Sequence, residues 1–147
     1  MISKVKVKIE SSIENLDAAG LPDGDVEKNV SEAEGFYRFD DGKAHLNYTE
    51  ENEGGRCRTE ISCLGGEVIV RRSGAIESEM RFFEGESHLS IYSIPPYRFD
   101  ATVTAKRVRI ELTEDGGGVD LLYNMKIGGA DKSARMKIWI SQASKRI

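Results

Sequence analysis

The sequence predicts an all-β fold, an antiparallel meander closed into a barrel, and three observations carry it. Apolar and polar residues alternate with a period of two along much of the 147 residues, as strands with one buried face require. Paired glycines and Asp-Gly steps separate these runs at hairpin spacing. No stretch carries the spacing of an amphipathic helix. About ten strands joined mostly by tight turns favour a barrel over a Greek-key sandwich.

Val5, Val7 and Ile9 alternate with Lys4, Lys6, Lys8 and Glu10, which gives a first strand with one wet face. Its lysine row suits a solvated face or the protection of an exposed edge. Residues 14–30 are polar and turn-rich and predict a loop. Asp23-Gly24-Asp25 within it lacks the later glutamate of a calcium loop and reads as a surface turn. A second strand follows from Glu34 to Asp40, with Tyr37 and Phe39 on one face, and Asp41-Gly42 turns it into Lys43–Glu51.

The stretch Glu50–Gly85 organises the rest. With Gly65-Gly66 as hairpin loop, Leu64 pairs with Glu67, Cys63 with Val68, Ile61 with Val70, Thr59 with Arg72 and Glu60 with Arg71. Apolar meets apolar and acid meets base, an agreement that a one-residue slip would destroy. With residues 52–55 as the preceding loop, Leu46 faces Ile61, Tyr48 faces Thr59 and Glu50 faces Cys57. Beyond Glu77–Glu84, a Gly85-Glu86 turn sets Phe82 against Leu89 and Met80 against Ile91. Pro95-Pro96 interrupts regular pairing, since neither residue has a backbone donor.

In the next strand the apolar parity switches, from Phe99, Ala101, Val103 and Ala105 to Val108, Ile110 and Leu112. The switch predicts a β-bulge near Lys106-Arg107. Asp115-Gly116 as hairpin turn places Leu112 against Val119, Ile110 against Leu121 and Val108 against Tyr123. A last strand turns Ala134, Met136, Ile138 and Ile140 inward and Trp139 outward.

Composition narrows the function classes. A net charge of −4 and a pI near 5.3 provide no basic footprint for nucleic acid. No apolar run approaches the ~20 residues of a membrane span, and the start MISKVKVKIE has no apolar signal core. The expected compartment is the cytoplasm. Cys57 and Cys63 share a strand at roughly 20 Å separation, too far to bond, and read as reduced core thiols. His45 and His88 are too isolated for zinc, so neither a metal nor a cofactor is expected. No catalytic residue is assigned, because no serine–histidine–acid set or phosphate loop is present. Glu50 and Glu51, as strand neighbours, point to opposite faces and cannot share a substrate.

The site expectation rests on two hairpin registers. They bring Tyr48, Glu50, Thr59 and Arg72 onto a face otherwise lined by Leu46, Ile61 and Val70. A desolvated charge left alone is costly, so a partner is required. In one reading Arg72 pairs with Glu50 or meets water at the barrel mouth. In the other, Arg72 anchors a small acidic or amphiphilic ligand, with Tyr48, Tyr123 and Met80 lining an apolar pocket. A third possibility is a filled barrel acting as an interaction module or homodimer, with outward Trp139 and Phe83 as anchors.

Four motifs also carry a family likeness: Gly35-Phe36-Tyr37; Tyr48-Thr49-Glu50-Glu51; Arg72-Ser73-Gly74 followed by Met80-Arg81-Phe82; and Tyr92-Ser93-Ile94-Pro95. In order and spacing across residues 30–142 the chain resembles the YwiB-like family of small bacterial proteins of unknown function (domain of unknown function DUF1934). It departs at Ile94-Pro95-Pro96-Tyr97, where the family more often shows Thr-Pro and then glycine. The resemblance implies a calycin- or lipocalin-like β-barrel and brings no established activity.

Overall fold

The computed structural model describes the backbone of residues 2–52, 55–94 and 96–143, and the side chains of these apart from 25, 52 and 94. Ten strands follow one another: β1 (Ile2–Leu16), β2 (Pro22–Asp40), β3 (Lys43–Asn52), β4 (Gly55–Leu64), β5 (Glu67–Gly74), β6 (Glu77–Phe82), β7 (Ser87–Ile94), β8 (Tyr97–Thr113), β9 (Gly116–Ile127) and β10 (Ala130–Gln142). Each pairs antiparallel with its sequence neighbours, and β1 pairs with β10, so the meander closes into a barrel. Among the described residues no helix is long and apolar enough to cross a membrane.

The alternation read from the sequence fills the interior. Val5, Val7 and Ile9 of β1, Val68 and Val70 of β5 and Ile138 and Ile140 of β10 are all buried in one core. Burying such aliphatic side chains stabilises the fold by roughly 1.5–3 kcal/mol each. The β3–β4 and β4–β5 registers are those expected, from Leu46↔Ile61 and Tyr48↔Thr59 to Thr59↔Arg72 and Glu60↔Arg71. Gly65 and Gly66 both take positive φ, 60° and 83°, which matches the hairpin turn to the twist of its strands. In the preceding loop Asn52 pairs with Gly55, and residues 53 and 54 lie outside the described residues. The bulge also falls where expected, its register shift lying between Ala105 and Arg107.

Three expectations are corrected. Residues 14–30 are strand except for a short turn at 17–21, because β1 and β2 pair from Ile2↔Arg38 up to Glu14↔Val26 and again at Leu16↔Pro22. Asp23-Gly24-Asp25 accordingly lies within β2, at the register irregularity between the Glu14↔Val26 and Leu16↔Pro22 pairs; pairing on either side overrides the polar composition.

At β8–β9 the turn is Glu114-Asp115, one residue earlier on each side, so Leu112 faces Gly117 and Ile110 faces Val119. The glycines lie inside the ladder, where a Cβ on Gly117 would stand 2.0 Å from the Glu111 carbonyl oxygen. This slip of two residues leaves every side chain on its expected face.

The third correction is a slip of one, and it reverses faces. Ser78 pairs with Tyr92 and Glu77 with Ser93, so Ser90 and Tyr92 turn inward while Leu89 stands 69% exposed. Regular β6–β7 pairing ends there. Ser90 Oγ takes over by donating to the Glu79 carbonyl at 2.6 Å. Between β7 and β8 the pairing is not broken: it runs without a register shift up to Ile94↔Tyr97, the residues flanking Pro95-Pro96, and Pro95 itself lies outside the described residues.

Candidate functional site

The registers of β3 to β8 compose one ring of facing residues: Tyr48, Thr59, Arg72, Ser78, Tyr92 and Phe99. Arg72 therefore sits between two hydroxyl residues. Glu50 lies one step nearer the mouth, opposite Cys57, which in turn pairs with Gly74. Met80 lies one step deeper, opposite Val70. Tyr123 belongs to the far wall, between Ala105 and Ala134, whose small side chains leave room for its ring.

Burial separates these residues. Tyr48, Thr59, Met80 and Tyr123 are buried, whereas Glu50 and Arg72 are half-buried. The apolar members are packed against one another. Tyr92 donates its hydroxyl to Met80 Sδ at 2.8 Å, and Tyr123 meets Phe82 edge-on at 4.9 Å between centroids. Met80 and Tyr123 thus form a floor beneath the ring.

Among the described residues no carboxylate comes within 4 Å of the Arg72 guanidinium, Glu50 included. Its charge is felt by phenols instead. Burial raises the pKa of Tyr48, Tyr92 and Tyr123, and in each case Arg72 pulls it back down. For Tyr48 burial prevails, with the neighbouring Glu50 adding to the rise, and the phenol is pushed up to about 12. Among the described residues, then, a half-buried guanidinium faces hydroxyls and no acid, a geometry whose donors suit an anion's oxygens.

Sequence reasoning missed two members of the ring itself, Ser78 and Tyr92. Tyr92 became visible once the β6–β7 register was right, since putting apolar Leu89 and Ile91 inside concealed it; Ser78 shares the inward face of Met80 and Phe82 and was simply passed over. Arg98 was also passed over; it pairs with Ser93 and opens, with Arg72, Ser78 and Ser93, on one groove.

Elsewhere the expectations concern the outer surface. Trp139 and Phe83 are outward, at 40% and 39% exposure, and Lys8 Nζ stands 5.5 Å from the Trp139 ring. A groove of about 910 Å³ crosses β2–β4 at the other end over Phe36, Arg38, His45 and Leu64, and holds none of the ring. Cys57 and Cys63 are free and buried. Among the described residues, no three histidine, cysteine or acidic side chains gather as a metal site.

The fold and site define a class: a closed up-and-down β-barrel with an arginine near one mouth that, among the described residues, has no acidic partner. The chain belongs to the family described as "Domain of unknown function (DUF1934)", which matches residues 13–140. It is 31% identical over 106 residues to the uncharacterized β-barrel protein YwiB of Bacillus subtilis (strain 168), covering 72% of this chain and 75% of that one. The crystal structure of that ywiB protein superposes with a TM-score of 0.84 at 26% identity, over 97% of this chain and 94% of the other. The relative brings the same barrel, and the family's function is unknown.

Proposed function

We propose that this protein binds a small acidic or amphiphilic molecule at the end of the barrel where Arg72 lies. One observation carries the reading: Arg72 is half-buried on the inward face and has no acidic partner among the described residues. A ligand anion would supply the missing charge, with Tyr48 and Thr59 offering hydroxyls beside it. Glu50, nearer the mouth, would accept a hydrogen bond from a hydroxyl or amine of the same molecule. Met80 and Tyr123 serve as the packed floor.

An amphiphilic ligand also finds apolar surface at this end. Tyr97 and Phe99 stack with centroids 6.4 Å apart and remain exposed, and Phe99 is the ring position next to Tyr92. The free, buried cysteines support a reducing compartment such as the cytoplasm as the place of action.

Native mass spectrometry of protein purified from its own host tests the proposal. The parent should carry a co-purifying mass that is lost in Arg72→Leu. A parent with no bound mass would overturn it.

A further inference from the structure

We infer that the acidic group is a phosphate-class oxyanion, held in a lateral groove over β5–β8 where Arg72, Ser78, Ser93 and Arg98 converge. The inference rests on the reading just proposed and names its ligand class and seat. The groove, of about 470 Å³, is large enough for a small head group.

The first support is an unanswered hydrogen bond. Ser78 is 7% exposed, and its Oγ is buried with no partner among the described residues. Native proteins rarely leave such a group unpaired, and an arriving oxygen would satisfy it. Ser78 stands directly opposite Arg72 and lines the same groove. The second support is the break in the wall. β6 and β7 pair at Glu77↔Ser93 and Ser78↔Tyr92 and no further, so inward Arg72 and Ser78 reach a groove of otherwise outward residues.

The third is charge. Of the groove's acids, Glu79 is held by Arg71 at 3.0 Å and Glu60 by Arg58 at 3.4 Å. Among the described residues Glu77 has no basic partner within 4 Å, and neither Arg72 nor Arg98 has an acidic one. Two guanidiniums against one carboxylate leave a positive excess. A carboxylate is satisfied by one guanidinium fork. Two guanidiniums and two hydroxyls arriving from β5, β6, β7 and β8 suit an anion with three or four oxygens.

Amide chemical shifts under titration with inorganic phosphate, and separately with acetate, test this on the parent, Ser78→Ala and Arg98→Leu. Phosphate should bind about tenfold tighter than acetate, and each variant should lose about tenfold in phosphate affinity while acetate is unaffected. Phenyl phosphate in a third arm separates sources: tighter binding than inorganic phosphate marks a phosphomonoester, equal binding marks the free ion. Arg98 is exposed and Ser78→Ala removes an unpartnered group, so both variants should fold. Equal affinities with a silent Ser78→Ala would overturn the oxyanion seat and leave Arg72 reading a carboxylate. A parent that responds to neither anion also overturns it, and the co-purifying mass then decides the broader proposal separately.

Discussion

Two arcs of this barrel are built on different terms. β1 pairs with β2 continuously from Ile2 to Glu14, and β8 with β9 from Ala101 to Thr113 around one bulge. β6 and β7, by contrast, meet in register at two adjacent positions and then rely on the Ser90 hydroxyl to satisfy a backbone carbonyl. The continuous arc pairs its backbone along long ladders, and at its bulge the Val108 N–H donates to the Glu84 carboxylate at 3.1 Å. The short arc leaves Ser78 Oγ without a partner and Arg72 without an acid, among the described residues. Ser78 Oγ thus lies beside the short ladder, although Asn124 Oδ1, inside the long β8–β9 ladder, is buried without a partner among the described residues too.

Glycine substitution should give the largest contrast. A side chain at Gly117 in the β8–β9 ladder would need a φ near +137° and would meet the Glu111 carbonyl at 2.0 Å. Gly117→Val should lower the unfolding free energy by about 3 kcal/mol. Gly85, before β7, also has positive φ but nothing within 4 Å, and Gly85→Ala should cost about 1 kcal/mol. Urea denaturation measures both, and equal or reversed costs would break the comparison.

Alkaline titration sharpens it next. Burial pushes Tyr37 up to about 12, with a contribution from Cys63, and Tyr37 also donates to the Thr113 carbonyl at 2.6 Å. Tyr48, in the ring that holds Arg72, is pushed up to about 12 by burial and then by Glu50. Both phenols bind their proton more tightly folded than unfolded, where the ordinary value is about 10. Their contribution to stability is therefore complete below about pH 10 and is lost as pH rises through about 12. Absorbance at 295 nm should show their phenolates forming together with unfolding. Full ionisation in the folded barrel near pH 10 would contradict the burial.

What could be read from the sequence divides along the same line. Where turn chemistry and alternation agree, as at Gly65-Gly66, the register and the placing of Tyr48, Thr59 and Arg72 on one face follow directly. At β8–β9 the glycines looked like the turn because they tolerate positive φ; in the barrel they permit close approach of the strands instead. That error of two residues was harmless to side-chain direction. At β6–β7 hydrophobicity misled, since Leu89 and Ile91 face outward beside an incomplete ladder, and the resulting slip hid Tyr92. That Arg72 has no acidic partner among the described residues could not be read at all, because ion pairing depends on side-chain reach that register leaves open.

The smallest expected effect is the most direct test of the central claim, that Arg72 is held for a ligand and not for the fold. The measurement is thermal unfolding of Arg72→Leu beside the parent, both refolded free of small molecules in anion-poor buffer. A residue with no acidic partner should be replaceable at no cost, so the melting temperature should stay within about 2 °C of the parent or rise. A fall of about 10 °C would show Arg72 serving a structural ion pair and would contradict the account.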